Sequence, residues 1–228
     1  MIGIICAMQL EADKIQKEMQ ITGSERISGM EFVRGSLCGQ EIVLAVCGIG
    51  KVFAAVCAEA MILRYAPTCI LNSGVAGTLT DKLSIGDIAV ADKLVQHDMD
   101  TTALGDLPGL ISGINTVYFE ADPCICRTLE AAADAIGAKS YRGTIASGDQ
   151  FMSDPEKKAR IRDMFGAIAC EMEGAAIAQA AYINKIPFCV LRAISDSADG
   201  QAQMEYPKFA AMAAERSYAI LREFLLHF

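Results

Sequence analysis

The run Ala169-Cys170-Glu171-Met172-Glu173-Gly174 and the later run Ile186-Pro187-Phe188-Cys189-Val190-Leu191-Arg192-Ala193-Ile194-Ser195-Asp196 decide how this chain is read. Each holds an apolar stretch of strand length that stops at acidic residues, and a segment rich in small residues with helical character lies between them. Buried strands alternating with helices build largely parallel sheets covered on both faces. Ligands of such sheets collect beyond the carboxyl ends of the strands. Acids gathered there beside methionine and phenylalanine describe a pocket for a neutral aromatic ligand whose chemistry moves protons.

The same alternation extends outward in both directions. Apolar runs predict strands over 2–7, 32–37, 41–47, 68–72, 87–95, 141–146, 167–170 and 188–193. Helical patterns cover 9–20, 51–65, 123–136, 155–164, 173–184 and 207–226, with Pro67 ending the second. The turn at Cys38-Gly39-Gln40 joins two strands as a hairpin, so the sheet is expected to be mixed. The 228 residues contain no linker, charge block or repeat, and 1–228 reads as a single α/β domain.

Bulk chemistry removes several function classes. A net charge of −8 offers no basic surface for displacing counterions, so nucleic acid is not an expected partner. No apolar run is long enough to span a bilayer, and no membrane partner is expected. The first eight residues are apolar, but no basic segment precedes them and Glu11, Asp13 and Lys14 follow at once, which reads as a buried first strand. Nine cysteines scattered through apolar runs read as free thiols, placing the protein in a reducing compartment, the cytoplasm. Cys124-Ile125-Cys126 is too tight for zinc spacing, and His97 and His227 are the only histidines. The aspartates of His97-Asp98-Met99-Asp100 read as turn formers, so no metal is expected.

Individual motifs are ambiguous until they are combined. Gly48-Ile49-Gly50-Lys51 follows a strand and opens a helix, yet Ala45 and Val52 break a Walker loop and Phe53 breaks a dinucleotide fingerprint. Ser73-Gly74-Val75-Ala76-Gly77 reads as a strand followed by a tight glycine turn, or as a pocket wall made of main chain. Glu11 in the first helical turn suits the helix dipole as well as catalysis. Glu171 and Glu173 cannot share one helical face; at a strand–helix junction one can enter a cleft while the other caps. Asp196 beside Ser195 and Ser197 can simply cap a turn. Arg192 ends an apolar strand and needs a carboxylate, which Glu11 or Glu173 could supply. The helix over 51–65 carries charge only at Lys51, Glu59 and Arg64, so it is either deeply buried or a contact between copies, and the second is the expectation.

Taken together, these residues resemble the 5′-methylthioadenosine/S-adenosylhomocysteine nucleosidase family, in the purine nucleoside phosphorylase-like superfamily, almost from end to end. The motifs are Gly3-Ile4-Ile5-Cys6-Ala7-Met8 with Glu11, Gly48-Ile49-Gly50-Lys51, Gly74-Val75-Ala76-Gly77, Ser147-Gly148-Asp149-Gln150-Phe151, Glu171-Met172-Glu173 and Arg192-Ala193-Ile194-Ser195-Asp196. The resemblance implies a three-layer α/β/α fold with a central mixed, mostly parallel twisted sheet, a cofactor-free homodimer, and hydrolysis of the N-ribosidic bond of adenine nucleosides with a 5′-thio substituent. Glu11 would activate water and Asp196 would protonate adenine N7, oriented by Ser195. Glu173 would hold the ribose 2′-hydroxyl and Met172 would pack under the sugar. Phe151 would stack on adenine, with Met152 presenting main-chain hydrogen bonds. Met8, Ile49, Val75 and Gly77 would line the sugar and water site, Arg192 would join the binding set, and Tyr206 would cover the sugar.

An acid that donates at neutral pH needs apolar surroundings, for which Ile194, Phe151 and Val190 stand nearby in sequence or motif. Two departures bear on specificity. Val75 replaces a serine of many relatives, and Leu104 and Asp106 fall where relatives lend aromatic residues to the partner subunit's 5′ site. A phosphorylase needs an anion site in the first loop, where Glu11 and Asp13 would repel phosphate. A futalosine-type hydrolase shares the chemistry, and a nucleoside sensor would need neither the acid nor the base.

Overall fold

The computed structural model describes residues 1–197 and 202–228. In chain order the elements are β1 (Ile2–Cys6), α1 (Gln9–Glu18), β2 (Gln20–Ile27), β3 (Met30–Leu37), β4 (Gln40–Val46), α2 (Lys51–Tyr65), β5 (Cys69–Thr78) and β6 (Ile88–Gln96). They continue with β7 (Phe119–Glu120), α3 (Pro123–Ala135), β8 (Ser140–Ser147), α4 (Pro155–Phe165), β9 (Ala167–Glu171), α5 (Gly174–Asn184), β10 (Phe188–Asp196) and α6 (Ala202–His227).

The expected α/β architecture with a mixed sheet is present. Neighbouring strands run β10-β6-β8-β9-β5-β1-β4-β3-β2, and β10 also pairs with β5. The second pairing closes β5, β9, β8, β6 and β10 into a ring, from which β1 to β4 extend as an open wing. Parallel pairing joins β4, β1, β5 and β10, and also β6, β8 and β9. Antiparallel pairing of β5 with β9 and of β6 with β10 connects the two groups. Helices α2 and α5 pack together on one side, while α6 covers β5 and β10 and contacts α1 and α3.

Local sequence explains most of these elements. Strand β10 is buried at every position, and β1 and β9 likewise, which fits apolar runs enclosed on both faces. In α5 the alanines at 175, 176, 178, 180 and 181 are buried, and their small side chains permit close packing on α2 and the sheet. Helix α2 buries Ala54, Cys57, Ala58, Met61 and Ile62, the spacing of one helical face. Its opposite face leaves Val52, Val56 and Leu63 exposed. Among the described residues no helix is long and apolar enough to cross a membrane, and all nine cysteines are free thiols.

Three local expectations are corrected. Residues 20–27 form β2, which the hydrophobic pattern did not reveal because this edge strand pairs only with β3 and has a polar, largely exposed sequence. Residues 73–77 do not turn: β5 runs straight through both glycines to Thr78, held by β10 along its length. The last strand continues to Asp196, past the expected end at 193, with a register shift between Ile194 and Asp196.

Two helices start by the same device. Asp122 and Asp154 each accept hydrogen bonds from two backbone N–H groups of the first turn, and each is followed by proline at the first helical position. Asp122→Ala should destabilise the fold by about 1 kcal/mol. The check is the chemical-denaturation midpoint; an unchanged midpoint would remove the cap from the fold's stabilising contacts.

Candidate active site

The carboxyl ends of β1, β5, β9 and β10 surround a cavity of about 310 Å³. Of the residues expected to form the site, Met8, Glu11, Ile49, Val75 and Gly77 line it from the β1, β4 and β5 side. Phe151, Met172, Glu173, Ser195, Asp196 and Tyr206 also line it, and Ala7, Ala76, Cys170 and Glu171 complete the enclosure. Phe151 and Tyr206 meet edge to face at 5.5 Å between ring centroids, and the Tyr206 hydroxyl lies 3.1 Å from Met8 Sδ, so these side chains form one rim.

Glu11, from α1, and Asp196, at the end of β10, are both buried and lie against different positions of β5. Glu11 Oε2 accepts hydrogen bonds from Ala7 N at 2.9 Å and Met8 N at 3.0 Å, and Oε1 accepts one from Val75 N at 3.1 Å. Burial pushes its carboxyl above the usual glutamate range, opposed by the Arg192 charge and by these N–H groups. Room for both acids comes from missing side chains. A Cβ on Gly74 would lie 2.6 Å from Glu11 Oε1, and one on Gly77 would lie 2.5 Å from Asp196 Oδ2. Val75 and Ala76 separate these glycines, so the two carboxyl groups meet β5 at distinct positions along the strand.

Asp196 is held from both sides. Ser195 Oγ lies 2.9 Å from Asp196 Oδ1 and 3.3 Å from the Ala76 carbonyl. On the other side, Lys158 Nζ donates to Asp196 Oδ2 at 3.1 Å and to the Ser197 carbonyl at 2.5 Å. The expected apolar setting of Ile194, Phe151 and Val190 is therefore corrected: an ammonium group shares the pocket wall with the acid. Sequence motifs gave no warning of Lys158. Its one signal is periodicity, since it falls with Ile161 and Phe165 on the buried stripe of α4.

The two glutamates at the β9–α5 junction divide as the spacing required. Glu171 turns inward and accepts hydrogen bonds from the Ser147 hydroxyl, Gly174 N and Glu173 N. Glu173 turns to the cavity and accepts a hydrogen bond from Gly50 N at 2.9 Å. Burial first, and the negative charge of Glu171 second, push the Glu173 carboxyl up to about 7. The loop that supplies Gly50 N is pinned: Lys51 N donates to Asp149 Oδ1 at 2.7 Å, Lys51 Nζ to Asp98 Oδ1 at 2.6 Å, and Asp149 N to Asp98 Oδ2 at 2.9 Å.

Arg192 requires a further correction. Only 1% of it is exposed, it does not line the cavity, and its partner is Glu171 rather than Glu11 or Glu173. Its guanidinium also donates to the Asn72 side chain and to the main-chain carbonyls of Asn72 and Leu191. Glu11 and Glu173 are engaged by backbone N–H groups on the pocket side, which leaves Glu171 facing the guanidinium. The Met152 side chain is buried in one cluster with Ile161 and Phe165 and lines a small adjoining hollow of about 40 Å³ that includes Lys158 and Asp196, which leaves its expected main-chain part untouched. Leu104 is exposed and Asp106 accepts a hydrogen bond from Thr101; neither lines the cavity of its own chain.

Among the described residues no group of three or more His, Cys, Asp or Glu side chains is placed to hold a metal ion. The cavity instead offers two opposed carboxyl groups, a third carboxyl beside main-chain donors, and apolar side chains between them.

Comparison with known proteins gives this arrangement a lineage. Residues 1–226 match the sequence family described as the phosphorylase superfamily. A 5′-methylthioadenosine/S-adenosylhomocysteine nucleosidase of Shewanella loihica is 36% identical over 227 residues, covering 99% of each chain. The crystal structure of a nucleosidase of the same name from Neisseria meningitidis, in complex with methylthio-immucillin-A, superimposes with a TM-score of 0.95 at 34% identity, covering 100% of this chain and 99% of that one. A futalosine hydrolase of Helicobacter pylori strain 26695 also reaches 0.95 at 34% identity, covering 100% and 97%. The chain belongs to the phosphorylase superfamily and, within it, to the family of 5′-methylthioadenosine/S-adenosylhomocysteine nucleosidases.

Proposed function

We propose that this protein is an N-ribosyl hydrolase that cleaves 5′-methylthioadenosine, S-adenosylhomocysteine and related 5′-deoxyadenosines to adenine and the 5′-substituted ribose. The observation that carries this reading is the pair of buried carboxyl groups, Glu11 from α1 and Asp196 from β10, that line one cavity and pack against separate glycines of β5. Breaking the C1′–N9 bond develops oxocarbenium character on the sugar and negative charge on the purine. A base that draws a proton from water and an acid that neutralises the purine meet those two demands, as in inverting glycosidases. Glu11 takes the first role and Asp196, oriented by Ser195, the second. Glu173 holds the ribose 2′-hydroxyl, Met172 packs under the sugar, Phe151 stacks on adenine and Tyr206 covers the mouth.

Phosphorolysis is disfavoured by the same geometry. The N–H groups of Ala7 and Met8, which a phosphate at the β1–α1 junction would need, already point at the Glu11 carboxylate. A futalosine-type substrate remains a second reading because of the structural likeness to that hydrolase, and the 5′ group distinguishes the two.

The functional unit is a cytoplasmic homodimer of single-domain subunits spanning 1–228. Support for the dimer comes from the exposed apolar side chains of α2, Val52, Val56 and Leu63, together with Ile49 at the cavity edge. Exposed Leu104, with Asp106 beside it, would then complete the 5′ site of the partner subunit.

Purified protein incubated with methylthioadenosine in phosphate-free buffer should release free adenine and the free thio-sugar; strict dependence on phosphate would overturn hydrolysis. Asp196→Asn should lower kcat by roughly 10² or more while nucleoside-analogue binding persists; near-normal turnover would remove it from the acid role. For Glu11→Gln a comparable loss is expected in single-turnover rates, and unchanged rates would reassign water activation. Because the ionised Glu173 carboxylate accepts the ribose hydroxyl more strongly than the neutral acid does and its carboxyl sits at about 7, kcat/KM should fall as pH drops through that value. Glu173→Gln should flatten this limb, and an identical acid limb in that variant would assign it to another group.

A further inference from the structure

Lys158 is the one side chain of α4 whose charge is buried: it and Asp196 are 2% and 3% exposed as side chains, and they are paired. Such a pair adds little to stability, since apolar replacements of buried ion pairs are often neutral or stabilising. Its placement is chemical. The ammonium and the carboxylate lie together in the hollow that adjoins Phe151 and Met172, where the purine would sit. Extending the hydrolase reading above, we infer that Lys158 supplies, through Asp196, the proton that the departing adenine takes at N7.

The pair as ammonium and carboxylate is neutral overall and carries one transferable proton. A nucleoside filling the cavity expels water, and loss of solvation favours the uncharged amine and carboxylic acid over the separated charges. The Lys158 N–H bond then breaks as the Asp196 O–H bond forms. That O–H bond breaks in turn as N7–H forms, while the C1′–N9 electron pair passes to the purine. The attacking water bonds to C1′ and gives its proton to Glu11. The cycle leaves Asp196 ionised, Lys158 as the free amine and Glu11 protonated; after product release one proton returns from Glu11 to Lys158 through solvent. Atoms and charge balance with water as the only co-reactant. Lys158 touches no substrate atom and acts through Asp196.

The test separates proton supply from charge. Lys158→Arg keeps a cation that cannot release a proton. Lys158→Met leaves Asp196 in an apolar wall, where it draws its own proton from solvent. With methylthioadenosine, kcat should fall by roughly 10² or more for Arg and by only about 10-fold for Met, set by the usual range of acid catalysis. With the 5′-methylthio riboside of p-nitrophenol, whose leaving group departs unprotonated, both variants should stay within about 3-fold of the wild type. The reverse order, with Arg near wild type and Met strongly impaired, would mean that charge alone matters and would overturn the inference. Equal losses on both substrates would also overturn it, leaving Lys158 a support of the fold. If the larger guanidinium disrupts α4, the Met variant still decides, through the contrast between its two substrates. Failure of the wild type to cleave either substrate would instead count against the hydrolase reading itself.

Discussion

The buried ion pair between Arg192 and Glu171 is the constraint around which the site is organised. A guanidinium with 1% exposure must be paired, and removing either member of such a pair typically costs about 3–5 kcal/mol because a charge is left stranded. Glu171 ends β9, caps the N-terminus of α5 through Gly174 N and receives the Ser147 hydroxyl from β8. Arg192 reaches from β10 to Asn72 on β5. One pair thus ties four strands and a helix together directly behind the cavity. It also carries the positive charge that opposes the rise of the Glu11 and Glu173 carboxyls. Three carboxylates in one enclosed region would repel one another; the cation among them lets Glu11 and Glu173 face the cavity.

Strand β5 supplies the other half of the design. Its path under the cavity brings main chain against two acids from distant parts of the sequence, Glu11 from the first helix and Asp196 from the last strand. Only positions without a Cβ allow this approach, and Gly74 and Gly77 stand where each carboxylate needs space. The sheet closes at β5 and β10, so the acid at the end of β10 is held in register with Gly77.

Membership of a superfamily named for phosphorolysis makes the first loop the informative difference. An anion-binding loop presents free N–H groups, whereas here those of Ala7 and Met8 are occupied by the carboxylate of Glu11. With both N–H groups taken by a carboxylate of the same chain, this loop is closed to an anion.

Sequence alone determined the elements whose signal is local. Apolar runs marked β1, β9 and β10 because strands enclosed on both faces must be apolar throughout, whereas Glu11, Glu173 and Asp196 were ambiguous one by one and were singled out by the motifs of the family resemblance. Edge strand β2 was not legible, since it buries little and carries no such pattern. The continuation of β5 through its glycines, the choice of Glu171 as the partner of Arg192, and the burial of Lys158 against Asp196 were decided only in three dimensions. Each depends on which strands and helices meet across long stretches of chain, and a side chain's partner is set by where its neighbours are packed rather than by where they fall in sequence.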